Sequence, residues 1–106
     1  MEILPRTGTT HTVLLTKELV VKKLVRPTTA VQLLISLPFF ITELSAEMVF
    51  ECEAFLTLGH DRPDVKHAAV LSYATIINKA LVQGVLTVEQ FEKYVKIFFD
   101  LFLSKF

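Results

Sequence analysis

The chain has 106 residues, of which 52% are hydrophobic and 21% are charged. That length fits one domain. Eleven basic residues balance eleven acidic ones, so net charge does not favour nucleic acid or an anionic membrane as a partner. The longest apolar run, residues 33–41, is interrupted by Ser36 and Pro38 and is far shorter than the roughly 20 residues of a membrane-spanning helix.

Glycines and prolines divide the chain into helix-length segments, and no strand pattern competes with them. The first predicted helix covers residues 10–24 and carries a broad buried arc. This arc has Val13, Val20 and Leu24 on one face, with Leu14, Val21 and Val25 beside it.

The second predicted helix covers residues 28–37, and Pro38 is expected to end it. Ala30, Leu33, Leu34 and Leu37 form its apolar stripe. Phe39, Phe40 and Ile41 follow as a short turn, which we expect to be tucked beneath neighbouring elements because exposing three large apolar side chains together is costly.

The third predicted helix begins after Ser45, a favourable N-cap residue, and ends at Gly59. Its inner face consists of Met48, Val49, Cys52, Phe55 and Leu56. The fourth covers residues 63–82, with Asp61 or Asp64 available to cap its free amides. Because this helix is apolar nearly all round, it should be covered on more than one face.

The fifth predicted helix begins at Thr87 with a capping box, TVEQ, closed by Gln90. One apolar stripe consists of Phe91, Val95, Phe98 and Phe102, and a second of Phe99, Leu103 and Phe106. The second stripe has no later segment of the sequence to cover it. The predicted fold is therefore all-α, with about five helices stacked as antiparallel pairs in an α-solenoid, and residues 1–106 are expected to be one partial helical domain of a longer superhelix.

The sequence contains only weak signals for a catalytic or metal-binding site. The segment GHDRPDVKH holds His60, Asp61, Asp64 and His67, which could bind zinc, but aspartates at a loop-to-helix junction favour helix capping. His11 lies among threonines with no carboxylate near it. We predict no catalytic residue, no metal site and no cofactor, and hence no enzyme.

Two further features are open to more than one interpretation. Cys52 lies on an apolar stripe, where burial favours an inert thiol over a nucleophile, and a single cysteine cannot form an internal disulfide. Lys93, Lys96 and Lys105 flank the phenylalanines of the fifth helix, so this helix either packs on a neighbour, the favoured interpretation, or lies on a membrane surface. An acidic row is either a solvated face or a docking surface for a partner, and it consists of Glu43, Glu47, Glu51 and Glu53.

Three segments together form a recognisable pattern: LVVKKLV at residues 19–25, AVQLLISLP at 30–38 and VKHAAVLSYATII at 65–77. In this order and with these gaps they resemble the helical, lipovitellin-like domain of the large lipid transfer proteins. This family comprises vitellogenins, insect apolipophorins, apolipoprotein B and the microsomal triglyceride transfer protein. The stretches GTTHTVLLTKELV and SLPFFITELSAEM are most similar to the insect apolipophorin branch.

The resemblance implies a two-layer superhelix of helix pairs that braces a lipid cavity, lipid transport as the function, and lipid and other domains of a parent protein as partners. It also implies secretion, although residues 1–11 lack the pattern of a signal peptide. Several family members carry a cysteine after the third segment. Here this region reads INKALVQG and has Leu81 instead, so the disulfide of those members is not expected. The alternative is a free-standing helical-repeat module that binds another protein. The isolated chain is expected to self-associate through Phe98, Phe99, Phe102 and Phe106.

Overall fold

The computed structural model describes residues 10–57 and 62–103, and within them the side chains of residues 12–55 and 62–100. Five α-helices and one short 3₁₀ helix form this part of the chain, which contains no strand. In chain order the elements are α1 (Thr10–Val21), α2 (Pro27–Phe40), α3 (Ala46–Cys52), the 3₁₀ helix (Glu53–Thr57), α4 (Pro63–Val82) and α5 (Val88–Leu103). The prediction of an all-α fold with about five helices is confirmed.

The helices form two layers. α1 contacts α3 and the 3₁₀ helix, and the 3₁₀ helix contacts α5, so these elements make one layer. α2 and α4 make the other layer and share the most extensive helix–helix contact. The 16 Å thickness of the molecule, against 37 and 36 Å in the other directions, agrees with two layers of helices whose axes lie 8–10 Å apart.

The core lies between the layers and between α2 and α4. Its largest fully buried side chains are Val13, Val20, Leu34, Leu37, Ile41, Val49, Phe55, Val65, Tyr73 and Ile76. Within the described residues, no helix is both long enough and apolar enough to cross a membrane.

α1 is shorter than predicted and buries only part of the predicted arc, in which the burial of Val13 and Val20 is confirmed. Lys23 adopts a positive φ of 56°, and the backbone N–H of Leu24 donates to the carbonyl of Leu19 at 3.0 Å, which is the Schellman ending of a helix. Its buried residues are Thr12, Val13, Thr16 and Val20. The prediction that Leu14, Val21 and Leu24 are buried is wrong, since they are 43%, 39% and 61% exposed.

α2 continues through Pro38, so the prediction that this proline ends the helix is wrong. Proline lacks the N–H that would bond to Leu34, but its fixed φ suits a helix. The backbone N–H of Ile41 then donates to Leu37 at 3.2 Å. Phe39 is 80% and Phe40 38% exposed, and only Ile41 of the three is buried; the prediction of a tucked apolar turn is therefore wrong for both phenylalanines.

The other helices follow their local signals. The Ser45 hydroxyl accepts from the N–H of Met48 at 3.3 Å, so the predicted N-cap of α3 is confirmed. α4 has the predicted bounds and contacts α2, α3 and α5. In the capping box of α5, the Thr87 hydroxyl accepts from the N–H of Gln90 at 3.1 Å and the Gln90 side chain accepts from the N–H of Thr87 at 3.0 Å. Gly59 and Phe106 lie outside what the structure describes, as do the side chains of Leu56, Phe102 and Leu103.

Candidate functional site: an uncharged face on α2 and α4

Two side chains near the end of α4 bind the segment that joins α2 to α3. Lys79 Nζ donates to the carbonyl oxygen of Pro38 at 2.8 Å and to that of Ile41. One turn later, Gln83 Nε2 donates to the carbonyl of Thr42 at 2.8 Å, and Gln83 Oε1 accepts from the N–H of Leu44 at 2.9 Å. We call Lys79 and Gln83 the clasp.

The clasp stabilises the C-terminal end of α2. The last carbonyls of a helix have no partner inside the helix, and a cation is favoured at this end because of the helix dipole. α2 has no basic residue in its last turn, so Lys79 of the neighbouring helix supplies the positive charge. The clasp also places the C-terminal ends of α2 and α4 side by side.

The exposed residues of α2, and those of α4 from Ala68 onward, carry no charge. α2 contains no charged residue at all, and α4 contains none from Ala68 to Asn78. Exposed residues recur at helical spacing on both helices. We call the resulting surface the uncharged face: Gln32, Ile35, Phe39, Leu71, Thr75, Asn78 and Val82.

Four of these seven residues are large apolar side chains with substantial exposure. Phe39 and Val82 are 80% and 79% exposed, and Ile35 and Leu71 are each 48% exposed. Thr75 Oγ1 donates to the carbonyl of Leu71 on its own helix at 2.8 Å. The uncharged face therefore combines apolar surface with amide groups on Gln32 and Asn78.

The opposite layer has a different surface, because charged residues surround its exposed apolar side chains. Phe50 is 62% exposed on α3 beside the exposed carboxylate of Glu47, and Phe99 is 50% exposed on α5, which also exposes Lys96. Of the predicted acidic row, Glu43 and Glu47 are exposed. Glu51 instead forms a 2.7 Å ion pair with Lys17 that joins α3 to α1.

Of the four candidate metal ligands, only Asp64 and His67 lie within the described residues. Asp64 pairs with Arg62 at 3.1 Å and accepts from the N–H of Val65 at 2.9 Å, and the Arg62 guanidinium lowers the pKa of that carboxyl group. Asp64 thus has the capping role that the sequence favoured. His67 is exposed, whereas His60, Asp61 and the side chain of His11 lie outside the described residues. No three metal-binding side chains cluster in the part of the chain that the structure describes.

Cys52 is a free, fully buried thiol, as predicted. Burial, with a smaller contribution from the nearby Glu51 carboxylate, raises its pKa from 9.0 to about 12. Since the thiolate is the reactive form of cysteine, Cys52 is chemically inert in the folded protein.

Tyr73 of α4 packs against α5, a contact that no pattern in the sequence predicted. Its ring stacks on that of Phe98 with centroids 6.4 Å apart and meets that of Tyr94 edge-on at 6.5 Å. Burial raises the pKa of the Tyr73 hydroxyl. That hydroxyl and the hydroxyl of Ser72 are buried without a hydrogen-bond partner among the described residues. The half-buried Phe91, Val95 and Phe98 of α5 pack against the hydrophobic core.

Comparison with protein-family models, with curated proteins and with solved structures found no match to this chain.

Proposed function

We propose that this chain is a structural helical segment of a lipid-carrying protein of the large lipid transfer type, where it braces the lipid cavity and contacts neighbouring domains. The lipid, the parent protein and the secreted location rest on the sequence resemblance of residues 19–25, 30–38 and 65–77. No residue is assigned a chemical step in this role.

One observation carries the proposal: the two longest resembling segments become neighbouring helices that pack on each other. Residues 30–38 lie in α2 and residues 65–77 in α4. Most apolar residues of these two segments are buried, among them Leu34 and Leu37 on α2 and Ala69 and Ile76 on α4. The resemblance therefore falls on residues that hold two helices of one layer together.

The order of contacts supports a repeating stack. α1 contacts α2 and α3, α2 contacts α4, and α4 contacts α3 and α5, so each α-helix meets α-helices that are one or two places away in the order of the five. Such near-neighbour contact is characteristic of solenoids, in which each repeat contacts only the adjacent ones. If α2 and α4 are the same helix of two successive repeats, their C-terminal ends should lie side by side, and the clasp holds them in that arrangement.

The test is flotation of the native protein in a density gradient. Antibodies raised against residues 83–93, which include the largely exposed start of α5, would detect the protein in extracellular fluid and in cell extract of the source organism. We expect the signal in fractions lighter than lipid-free protein and at a mass far above 12.0 kDa, and a mild detergent should move it to the density of lipid-free protein. A 12.0 kDa species that never floats would refute the lipid-carrier proposal.

A second candidate, the free-standing helical-repeat module that binds protein, is favoured by the uncharged face, because interface centres are depleted in charged residues. The same gradient separates the two functions. The module would remain with lipid-free proteins and would change its sedimentation only when its partner is present.

A further inference from the structure

We infer that the connection between α1 and α2 binds the surface of an anionic phospholipid membrane. We call this part of the molecule the basic corner: Val21, Lys22, Lys23, Leu24 and Arg26. The inference goes beyond the proposed function and does not require it, because it concerns how this chain meets a lipid surface and not what a parent protein carries.

The basic corner is a turn with its side chains in solvent. α1 ends at Val21 and α2 begins at Pro27, and all five residues of the basic corner are exposed. Leu24 and Val21 are 61% and 39% exposed, so two apolar side chains lie among three cations. Lys22 pairs with Glu18 at 2.8 Å, but its side chain stays 62% exposed. Because exposed pairs at this spacing are weak, Lys22 remains available to a negatively charged surface.

The zero net charge of the chain conceals two oppositely charged ends of α2. The basic corner precedes α2, whereas the exposed carboxylates of Glu43 and Glu47 follow it. α2 carries no charge of its own and has 14 residues, which makes it about 21 Å long. That length is more than twice the Debye length of about 8 Å at physiological ionic strength. A negatively charged surface therefore attracts the basic corner with little opposition from the acidic end.

Two properties favour a lipid surface over other negatively charged partners. A stable protein interface buries about 800 Å² on each partner and takes roughly 20–30 residues a side, far more than one turn offers, whereas a membrane presents many equivalent headgroups to a small contact. A polyanion without an apolar part would leave Leu24 and Val21 in water. At a membrane these two side chains enter the headgroup boundary while the lysine and arginine side chains reach the phosphates.

The number of charges sets the expected strength of binding. A basic residue near an anionic membrane surface strengthens binding by about fivefold. Glu18 offsets one of the three cations, so the basic corner should prefer an anionic to a zwitterionic surface by about 25-fold. The exposed leucine adds a contribution that does not depend on lipid charge. We therefore expect a weak contact that is measurable at millimolar lipid.

The experiment is co-sedimentation of the full 106-residue chain with lipid vesicles at up to about 10 mM lipid and about 0.1 M salt. Vesicles of phosphatidylcholine with about 30% phosphatidylserine are compared with vesicles of phosphatidylcholine alone, and the chain should partition about 25-fold more strongly to the anionic vesicles. Lys22→Gln combined with Lys23→Gln removes the net charge of this region and should abolish the preference.

The matched control removes the same charge elsewhere. Lys93 and Lys96 are exposed on α5, which, among the described helices, contacts neither α1 nor α2. Lys93→Gln combined with Lys96→Gln should leave vesicle binding within about threefold of wild type. An equal loss in this control and in the Lys22→Gln, Lys23→Gln variant overturns the proposal, because net charge and not the basic corner would then set binding.

The apolar part of the basic corner is tested separately. Leu24→Asn should weaken binding to anionic vesicles by about threefold or more and should leave binding to heparin, a soluble polyanion, unchanged. Leu71→Asn, at a 48% exposed position of α4, should bind vesicles like wild type. If Leu24→Asn has no effect on vesicle binding and the double lysine variant loses vesicles and heparin alike, the basic corner binds polyanions and the lipid assignment is wrong.

Wild-type binding that is equal on the two kinds of vesicle, or undetectable on both, also overturns the proposal. Circular dichroism checks that each variant keeps its helical content. If the double lysine variant unfolds, Arg26→Gln replaces it, since the Arg26 side chain makes no capping hydrogen bond to α2. This single variant should lose about fivefold in binding to anionic vesicles, and an unchanged affinity would contradict the role of the basic corner.

Discussion

α4 is packed by α2 and by α5, and the two contacts are built differently. α2 makes an extensive contact with α4 and buries only aliphatic side chains, and the clasp adds hydrogen bonds from a charged amine. Against α5 the buried ring of Tyr73 meets aromatic side chains that remain partly exposed, Tyr94 and Phe98. Because water is excluded from one contact and only partly from the other, α2 and α4 should form the stable unit and α5 should separate first.

The largest effect should come from the α2–α4 contact. Leu34→Ala removes a fully buried side chain and should lower the free energy of unfolding by about 2–5 kcal/mol, through lost burial and the cavity left behind. Ile35→Ala, at the adjacent and 48% exposed position, is the matched control and should cost about 1 kcal/mol or less. If urea titrations gave equal losses of unfolding free energy for the two variants, α2 would not bury Leu34 and expose Ile35 as described.

The clasp comes next. Lys79→Met keeps the length of the side chain and removes the ammonium group that donates to Pro38 and Ile41, so the free energy of unfolding should fall by about 1.5–3 kcal/mol. Lys66→Met, at an exposed position on the same helix, provides the control. If thermal unfolding of the two variants coincides, the clasp contributes nothing to the α2–α4 unit.

High pH should destabilise the fold through Cys52, the last residue of α3. The folded pKa of about 12 lies above the ordinary value of 9.0, so the thiol's contribution to stability is complete below pH 9.0 and is lost as the pH rises toward 12. The loss approaches about 1.4 kcal/mol per pH unit. Chemical denaturation from pH 8 upward should therefore show a steeper decline for wild type than for Cys52→Ala, and parallel curves would contradict this assignment.

The smallest of these effects concerns the start of α5. Thr87→Ala removes the hydroxyl that accepts from Gln90 and should cost about 1 kcal/mol, seen as a lower midpoint in urea. Thr75→Ala alters an exposed threonine inside a helix and should be neutral or slightly stabilising, because threonine is a poorer helix former than alanine. A Thr87→Ala midpoint no lower than that of Thr75→Ala would remove the capping box from the account.

Local signals in the sequence were sufficient for much of the fold. Ser45 and Thr87 predicted the starts of α3 and α5 because capping depends on a residue and its neighbours three positions away. The bounds of α4 followed from Pro63 and Gly84, and Gly84 has the positive φ of 75° that a Schellman ending requires. α1 has the same kind of ending, but there Lys23 occupies the position that glycine usually takes, so no local signal marked it.

The remaining features depend on contacts between distant residues. Lys79 and Pro38 are 41 positions apart, and no periodicity links them. The lack of charge in α2 is visible in the sequence, but which of its side chains stay exposed depends on where α1 and α4 pack. For that reason Phe39 was expected in the core and is instead the most exposed large apolar side chain on the uncharged face.

Native-state hydrogen exchange, followed by mass spectrometry at increasing urea, tests the difference between the two sides of α4 most directly. We predict that amides of α2 and α4 exchange together and only through global unfolding, while amides of α5 exchange through an earlier opening with a lower free energy. Equal protection of α4 and α5, or earlier exchange of α2 than of α5, would contradict this account.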